Sequence, residues 1–367
     1  MNSKVCILTS VHPPFDARIF YKEAKTLVNA GYHVVLIVEH TSEEFVDGIR
    51  IVPLPQSRNR FVRMTKVIWK LFKFALKEKA KVYHFHDPEI IPVGLMLKLF
   101  GKKVIYDVHE DMPKQILYKE WIKVIFIRKL FSFFTLVIEK IVSLFFDYII
   151  AATSDIKNRF PEKKSFLIRN FPIIGFIKNT TPNRAKRETM VLIYVGGLSK
   201  VRGIKEIIQS MEFIKERAEL WLVGMWENDD YKNECERLDG WKYTKYLGFK
   251  KLDEIYILLK RSNVGLATLY PIKNYLTSFP VKAFEYMACS LPIVMSDFSY
   301  WKEIFKDCAL FANPKNPEDI AKKISILLND GNLRETLGKN GRKMVENGCS
   351  WEAESVELLT MYKRLST

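Results

Sequence analysis

The sequence is poor in cysteine and has no close cysteine pair. Its five cysteines are scattered over 367 residues, and no two stand in a C-x-x-C arrangement. A disulfide-stapled scaffold and a zinc-binding cysteine cluster are therefore excluded, and a reducing compartment is expected. Glycine and proline are also few, at 16 and 15 residues, whereas 48% of the residues are hydrophobic. This composition predicts a folded chain, and its length predicts two or more domains.

Long uncharged hydrophobic runs are lacking as well. Five charged residues interrupt the most apolar stretch, 121–146: Lys123, Arg128, Lys129, Glu139 and Lys140. It therefore falls short of the roughly 20 apolar residues that a membrane-spanning helix needs. The apolar run near the amino terminus covers only residues 5–9, which is too short for a secretory signal. The sequence therefore predicts a cytoplasmic protein.

Acidic residues are outnumbered by basic ones, and the excess is concentrated in one segment. The chain has 58 Lys and Arg against 42 Asp and Glu, a net charge of +16. In residues 58–81, nine basic residues and one acid are interleaved with apolar side chains at near-helical spacing. This pattern predicts a basic amphipathic helix that lies on anionic lipid at the inner face of the cell membrane through Arg63, Lys66, Lys70 and Lys73. A core-packed helix with a solvated basic face is the alternative. Nucleic acid is not an expected partner, because no recognition motif accompanies the charge.

Apolar, β-branched segments alternate with amphipathic segments along most of the chain, which indicates an α/β fold with parallel sheets. The rhythm runs through residues 1–172, is broken by the polar stretch 173–188, and resumes over 189–349. We therefore predict two domains joined by a linker, with a terminal helix at 350–367 returning to the first domain. Ligands bind at the carboxyl ends of parallel strands, so the two domains are expected to face each other across a central cleft.

The segment 275–297 has the features of a phosphate-binding helix start. Ser278 is a plausible N-cap, Pro280 suits the first turn, and Lys282 adds a positive charge where backbone N–H groups are free. Glu285, one turn further, can accept two hydrogen bonds from a ribose diol. A solvated helix residue is the alternative interpretation for Glu285.

The turn after the first strand of the second domain, YVGGLSKVRGI, has matching features. Gly196 and Gly197 allow a diphosphate to approach the backbone, and Arg202 supplies a fork-shaped donor for phosphate oxygens. A plain tight turn is the alternative.

The chain resembles the retaining glycosyltransferases of family 4. The matching segments occur in order over nearly the whole chain: ILTSVHPPFDARIFYKEA, HFHDPEIIPVG, VIYDVHED, YVGGLSKVRGI, LWLVG, YLGF, VKAFEYMACSLPIV and NGCSWEAESVELLTMYKRL. The resemblance implies a GT-B architecture, in which two Rossmann-like parallel-sheet domains face a central cleft. It further implies that the second domain binds a nucleotide sugar and the first an acceptor.

The resemblance also assigns roles to single residues. Glu285 matches the acid that holds the nucleotide ribose, Arg202 matches the lysine that binds the diphosphate, and His109 matches the histidine that faces the reacting sugar. Two positions depart from the family pattern. Gly197 stands where the family has a second diphosphate-binding arginine, and Arg18 or Lys282 is expected to replace it. Thr277 stands where the family has the acid that contacts the donor sugar.

Two further groups of residues follow strands of the first domain. Asp16 and Arg18 lie in HPPFDARIF, where Asp16 is a candidate catalytic residue and Arg18 a candidate acceptor or phosphate ligand. A local ion pair that starts the helix is the alternative for both. His84 and His86 are too closely spaced, without a further acid or cysteine ligand nearby in sequence, to predict a metal site.

Taken together, these patterns predict a retaining glycosyltransferase acting at the membrane surface. It would move a sugar from a nucleotide-sugar donor to a lipid-linked or glycan acceptor during assembly of a bacterial surface polysaccharide. Similarity to the family implies no obligatory metal, and the nucleotide sugar is a substrate, so no cofactor is expected. The alternatives are a catalytically inactive partner subunit that binds a sugar nucleotide and a nucleotide-sugar epimerase of the same fold.

Overall fold

The computed structural model describes residues 3–56, 59–117, 122–178, 189–276 and 278–366. The chain divides into two compact units. The first unit comprises Met1–Asn170 together with Glu352–Thr367, and the second comprises Phe171–Trp351. Each unit is built on a parallel sheet covered by helices, as predicted for an α/β chain.

The sheet of the first unit has eight strands in the order β3-β4-β2-β1-β5-β6-β7-β8. Every neighbouring pair is parallel except β3 and β4, which are antiparallel. The central strands are buried almost throughout because helices cover both faces, which explains their continuous runs of apolar residues. The strands are β1 (Lys4–Leu8), β2 (His33–Glu39), β3 (Glu44–Val46), β4 (Ile49–Leu54), β5 (Val82–Phe85), β6 (Lys103–Val108), β7 (Tyr148–Ala151) and β8 (Ser165–Leu167).

The sheet of the second unit has six strands in the order β11-β10-β9-β12-β13-β14, all parallel. In both sheets the strand order reverses beside the first strand of the unit, between β1 and β5 and between β9 and β12. Ligands of doubly wound sheets bind at this reversal point. The strands are β9 (Met190–Val195), β10 (Ala218–Val223), β11 (Thr244–Gly248), β12 (Val264–Ala267), β13 (Ile293–Ser296) and β14 (Ala309–Ala312).

Helices connect the strands of each unit. In the first unit they are Ala17–Ala24 and Arg63–Val67, both π-helical, the 3-10 turns Pro88–Ile90 and Glu162–Lys164, and the α-helices Lys25–Asn29, Arg60–Val62, Ile68–Glu78, Ile91–Leu99, Met112–Leu117, Ile125–Ser143 and Ser154–Lys157. We call the continuous helical stretch 60–78 the basic helix and Ile125–Ser143 the apolar helix.

The helices of the second unit follow the same alternation with its strands. They are the 3-10 turns Lys200–Arg202, Lys215–Arg217 and Asp239–Tyr243, and the α-helices Gly175–Lys178, Ile204–Ile214, Asp229–Glu236, Leu252–Lys260, Lys273–Leu276, Val281–Ala288, Ser299–Phe305, Pro317–Asn329 and Gly331–Glu346. The start of the predicted linker is structured, because Phe176 of Gly175–Lys178 stacks on Tyr256 with ring centroids 6.1 Å apart. The rest of that linker, 179–188, lies outside the described residues.

The terminal helix, Trp351–Ser366, packs on the first sheet. Its Leu358, Met361 and Tyr362 are fully buried, and the Tyr362 hydroxyl lies 2.9 Å from Nδ1 of His84 on β5. The first unit is therefore completed by residues from the far end of the chain.

Candidate functional site

Two glycines and two basic side chains meet where β9 ends in the second unit. Gly196 adopts φ 135°, a region that favours glycine, and its N–H donates to the Val223 carbonyl at 2.9 Å. A Cβ placed on Gly196 would lie 3.1 Å from Nη1 of Arg202 and 3.2 Å from Nζ of Lys282. Gly197 likewise faces the Arg202 guanidinium, whose Cζ would lie 3.8 Å from an added Cβ. Both predicted cations therefore converge on the exposed backbone of the two glycines.

The position of Arg202 is fixed by the glycine that follows it. Gly203 has φ 67°, and a Cβ there would lie 2.2 Å from the Thr268 carbonyl oxygen on the neighbouring strand end. Only glycine fits so close to backbone, so the turn Lys200–Arg202 is held against β12 with its arginine directed toward Gly196.

Lys282 is the second basic residue at this turn. Its Nζ is buried and, among the described residues, has no hydrogen-bond partner. It lies 3.7 Å from the ring centroid of Tyr194, whose hydroxyl donates to the Gly197 carbonyl at 3.1 Å. Burial and the nearby Arg202 guanidinium push the pKa of Lys282 well below its usual range. Two adjacent cations, one of them desolvated, form a receptor for a diphosphate.

The helix that carries Lys282 begins differently from the prediction. The prediction of Ser278 as N-cap is wrong: the cap position of Val281–Ala288 is Pro280, and no side chain caps it. The Ser278 hydroxyl instead donates to the Tyr275 carbonyl at 3.3 Å. Glu285 is half-buried one turn beyond Lys282. Its carboxylate raises the pKa of Lys282 and so offsets part of the lowering by burial and Arg202. Thr277 lies outside the described residues.

The shifted pKa of Lys282 predicts that binding of a nucleoside diphosphate takes up a proton. In the free protein the depressed pKa favours a neutral amine, whereas a bound diphosphate raises that pKa and favours the ammonium form. Affinity should therefore rise as the pH falls through the window between the free and bound pKa values. Calorimetry of UDP in buffers of different ionisation enthalpy measures the uptake. Lys282→Met should abolish it, and an unchanged uptake in that variant would contradict the assignment.

A cavity of about 760 Å³ lies at the carboxyl ends of β1, β5 and β6 in the first unit. One part of its wall is polar and charged and contains His12, Arg63, His86, Asp87, Glu89, His109, Glu110 and Glu139. The other part is apolar and contains Met112, Ile116, Ile122, Phe131, Phe134 and Ile138. A ligand with a charged head and a hydrocarbon tail matches this division.

His12 organises the polar end of that cavity. Its Nε2 lies 3.3 Å from an Asp87 carboxylate oxygen and 3.1 Å from Nε2 of His109, and its Nδ1 lies 3.7 Å from Asp16. Burial acts to lower the pKa of His12, but the hydrogen bonds to Asp16 and Asp87 outweigh it and raise the pKa to about 10. Nε2 of His109 faces His12, and Nδ1 of His109 lies 3.4 Å from an Asp107 carboxylate oxygen.

The first unit thus brings two of the predicted residues together and adds one that sequence reasoning missed. His109 lines the cavity and Asp16 lies behind His12. Asp16 is also the N-cap of the following helix, because it accepts hydrogen bonds from the backbone N–H groups of Arg18 and Ile19. The missed residue is His12. Its place in the loop directly after the first strand was the signal that could have identified it.

Arg18 does not have the phosphate-binding position predicted for it. It is 3% exposed, and its guanidinium contacts Asp107 at 2.7 Å, Glu23 at 2.9 Å and the Ile168 carbonyl at 3.1 Å. Its charge is committed to the interior of the first unit.

Glu23, His84, His86 and Asp107 surround Arg18 and could each present one metal-ligating atom within 4.8 Å of the others. Burial and the Asp107 carboxylate raise the pKa of Glu23 well above its usual range. Burial also acts to raise the pKa of Asp107, but Arg18 and the histidines outweigh it and hold that pKa well below normal. The raised pKa favours the protonated form of Glu23, which reduces the repulsion between the two buried carboxylates.

The four predicted membrane-contacting residues lie along the basic helix. Arg63 is mostly buried and pairs with Glu89 at 2.8 Å, so it faces the cavity. Lys66 is exposed. Nζ of Lys70 lies 5.3 Å from the ring centroid of Phe74, and Nζ of Lys73 lies 5.6 Å from the ring centroid of Trp69. The opposite face of the helix, including Leu71 and Ala75, is buried in the core.

Comparison with known proteins agrees with this architecture. The family model described as "Glycosyl transferases group 1" matches residues 177–344, and the model described as "Glycosyltransferase Family 4" matches residues 17–166. Two doubly wound parallel sheets are the architecture of the GT-B fold. Together the two matches cover most of the chain and support a glycosyltransferase similar to those of family 4.

Individual relatives match parts of the chain, and solved structures match all of it. A Campylobacter jejuni enzyme, N,N'-diacetylbacillosaminyl-diphospho-undecaprenol alpha-1,3-N-acetylgalactosaminyltransferase, is 32% identical over 141 residues, 38% of this chain and 35% of its own length. The matched segments thus span less than half of such relatives. Sucrose-phosphate synthase from Thermosynechococcus elongatus superposes with a TM-score of 0.76 at 18% identity, covering 99% of both chains. Anabaena HepE in complex with UDP-glucose superposes with a TM-score of 0.73 at 16% identity, covering 100% of both chains.

Proposed function

We propose that this protein is a retaining glycosyltransferase that moves a sugar from a nucleotide-sugar donor to a lipid-linked acceptor in bacterial surface polysaccharide assembly. The observation that carries the proposal is the convergence of Arg202 and Lys282 on the backbone of Gly196. A buried lysine amine beside an arginine is unfavourable unless an anion binds there. The diphosphate of a nucleotide sugar is an anion of matching size and charge.

The donor site is formed entirely by the second unit. Arg202 and Lys282 bind the diphosphate, Gly196 and Gly197 let it approach the backbone, and Glu285 accepts hydrogen bonds from the ribose. The complex of Anabaena HepE with UDP-glucose, which shares the fold, supports a nucleotide sugar as the ligand class. These cations stabilise the diphosphate as negative charge develops on it during departure from the sugar.

The acceptor site is the cavity of the first unit. Its polar end, with His12 and His109, suits a phosphate or hydroxyl group, and its apolar wall suits a hydrocarbon chain. The Campylobacter relative carries diphospho-undecaprenol in its name, which supports an acceptor that joins a charged head to a long apolar tail. Such an acceptor lies in a membrane, which agrees with a protein that works at the membrane surface.

We propose that the acceptor hydroxyl attacks the sugar from the same face that the diphosphate leaves. The departing phosphate oxygen takes the proton of the acceptor hydroxyl as the new glycosidic bond forms, so the anomeric configuration is retained. His109 positions the reacting sugar, and His12 holds the His109 ring through the 3.1 Å contact between their Nε2 atoms. No step needs a metal.

Donor binding and turnover test the proposal. Glu285→Ala should weaken the binding of a nucleotide sugar at least about tenfold, because charge-assisted hydrogen bonds to the ribose are lost. Glu303→Ala, an exposed acid on the nearby helix Ser299–Phe305, serves as the control and should bind normally. Calorimetry with UDP-, GDP-, ADP- and dTDP-sugars measures both variants and identifies the base.

Turnover distinguishes the proposal from its alternatives. With a polyprenyl-diphosphate-linked sugar present, the wild-type protein should release nucleoside diphosphate and extend the acceptor by one sugar. Release of free nucleotide without an acceptor would indicate an epimerase. Tight donor binding without either product would indicate an inactive partner subunit.

A further inference from the structure

The apolar helix, Ile125–Ser143, is oriented with its polar side toward the protein. Ser132 donates to the Pro113 carbonyl at 2.7 Å, Arg128 donates to the Ile122 carbonyl, and Glu139 accepts from the Tyr106 hydroxyl at 3.0 Å. In a water-facing helix of a globular protein the apolar stripe packs on the core instead. Only Glu139, Val142 and Ser143 of this helix are buried.

The outward side of the same helix is a continuous apolar surface. Phe126 is 71% exposed, Phe133 59% and Ile141 53%, and with Leu130 they fall within about 80° of one another around the helix axis. Further exposed apolar side chains extend this surface: Val124, Ile125, Leu144 and Phe145. Soluble monomers rarely expose an apolar patch of this extent, so the surface has a partner.

The charges around this surface indicate the partner. Lys123, Lys129 and Lys140 are exposed beside it, whereas the one acid of the helix, Glu139, is buried on the opposite side. No helix among the described residues is long and apolar enough to cross a membrane. An apolar helix face bordered by lysines, about 28 Å long, fits the interface of a bilayer that contains anionic lipid.

We propose that the apolar helix inserts its outward face into one leaflet of an anionic membrane and anchors the protein there. Phe126, Leu130, Phe133 and Ile141 enter the acyl region, and the three lysines contact lipid headgroups. Met64 and Arg63 of the basic helix line the cavity that the apolar helix also lines.

The surface is continuous with the acceptor cavity. Phe131, Phe134 and Ile138 line the cavity from the same helix and are themselves about half exposed. In the anchored protein, a lipid tail passes from the leaflet along these side chains into the cavity without crossing water. This last step rests on the proposed function, whereas the anchoring does not.

Co-sedimentation with vesicles of phosphatidylethanolamine and phosphatidylglycerol tests the anchoring. Binding by insertion should persist at about 1 M salt, where the screening length is only about 3 Å and electrostatic adsorption is lost. The double variant F126Q/F133Q should bind at least about a hundredfold more weakly, about tenfold for each phenylalanine withdrawn from lipid. The matched control F213Q/F249Q removes two exposed phenylalanines from the second unit and should bind as the wild type does.

Loss of wild-type vesicle binding at high salt would overturn the proposal, and so would unchanged binding of F126Q/F133Q. A third contrary outcome is a protein that does not bind vesicles but forms a dimer in light scattering, if F126Q/F133Q is monomeric. UDP binding measured on every variant separates this result from the proposed function. Salt-resistant binding without transfer to a lipid acceptor would refute the function and leave the anchor intact. Sugar transfer to a lipid acceptor by a protein that does not bind vesicles would refute the anchor and leave the proposed function intact.

Discussion

Replacement of Arg202 by alanine should lower kcat/KM for glycosyl transfer about a hundredfold to a thousandfold. Arg202 is a preorganised donor at the position where the leaving diphosphate gains charge, and loss of one such donor typically costs this much. Lys282 would remain, but its buried amine would then be the single cation facing the Gly196 backbone among those described there. Steady-state kinetics with saturating acceptor, together with UDP affinity by calorimetry, measure the effect.

Two variants sharpen that experiment. Lys200→Ala lies two residues earlier in the same turn, is exposed, and should leave the kinetics within about twofold of wild type. Arg202→Lys keeps the charge but lacks the planar fork, so it should recover part of the lost rate. Equal activity of Arg202→Ala and Lys200→Ala would remove Arg202 from the diphosphate site.

Replacement of Asp107 by asparagine should destabilise the first unit by about 3 kcal/mol or more. The change leaves the Arg18 guanidinium, 3% exposed and 2.7 Å from the lost charge, without its ionised partner. Removal of one member of a buried ion pair costs about 3–5 kcal/mol because the other charge stays desolvated. Native-state hydrogen exchange of amides in β1 and β6 measures the free energy of unfolding for this unit.

The control for Asp107→Asn is an exposed ion pair in the same unit. Glu43 contacts Arg50 at 2.7 Å, and both side chains are at least 40% exposed. Glu43→Ala should therefore cost less than about 1 kcal/mol. A comparably small effect of Asp107→Asn would mean that Arg18 finds solvent or another carboxylate, and the description of the buried cluster would be wrong.

The fold and the meeting of Gly196, Arg202 and Lys282 could be predicted because their signals are local. Strands covered on both faces appear as short apolar runs, and helices between them appear at the 3.6-residue period. Gly196, Gly197 and Arg202 lie within one turn, and Lys282 lies in the first turn of its helix, so their chemistry could be recognised without knowledge of distant contacts.

The errors concern contacts that the local sequence pattern does not specify. Arg18 pairs with Asp107, 89 residues away, and nothing in the local sequence HPPFDARIF indicates that partner. Ser278 looked like a cap, but Pro280 occupies the cap position and the Ser278 hydroxyl bonds to Tyr275. The apolar stretch 121–146 could be recognised in the sequence, yet its pattern could not show that the polar side of the helix faces the protein.

The discontinuity of the first unit has a consequence for synthesis on the ribosome. Phe171–Trp351 is one uninterrupted segment and can fold as soon as it has emerged. The earlier segment must wait, because Leu358, Met361 and Tyr362 fill its interior and are synthesised only after Phe171–Trp351. A fragment ending at Asn170 should thus expose an unfilled hydrophobic groove and aggregate, whereas a circularly permuted gene that begins at residue 352 would deliver the missing helix first.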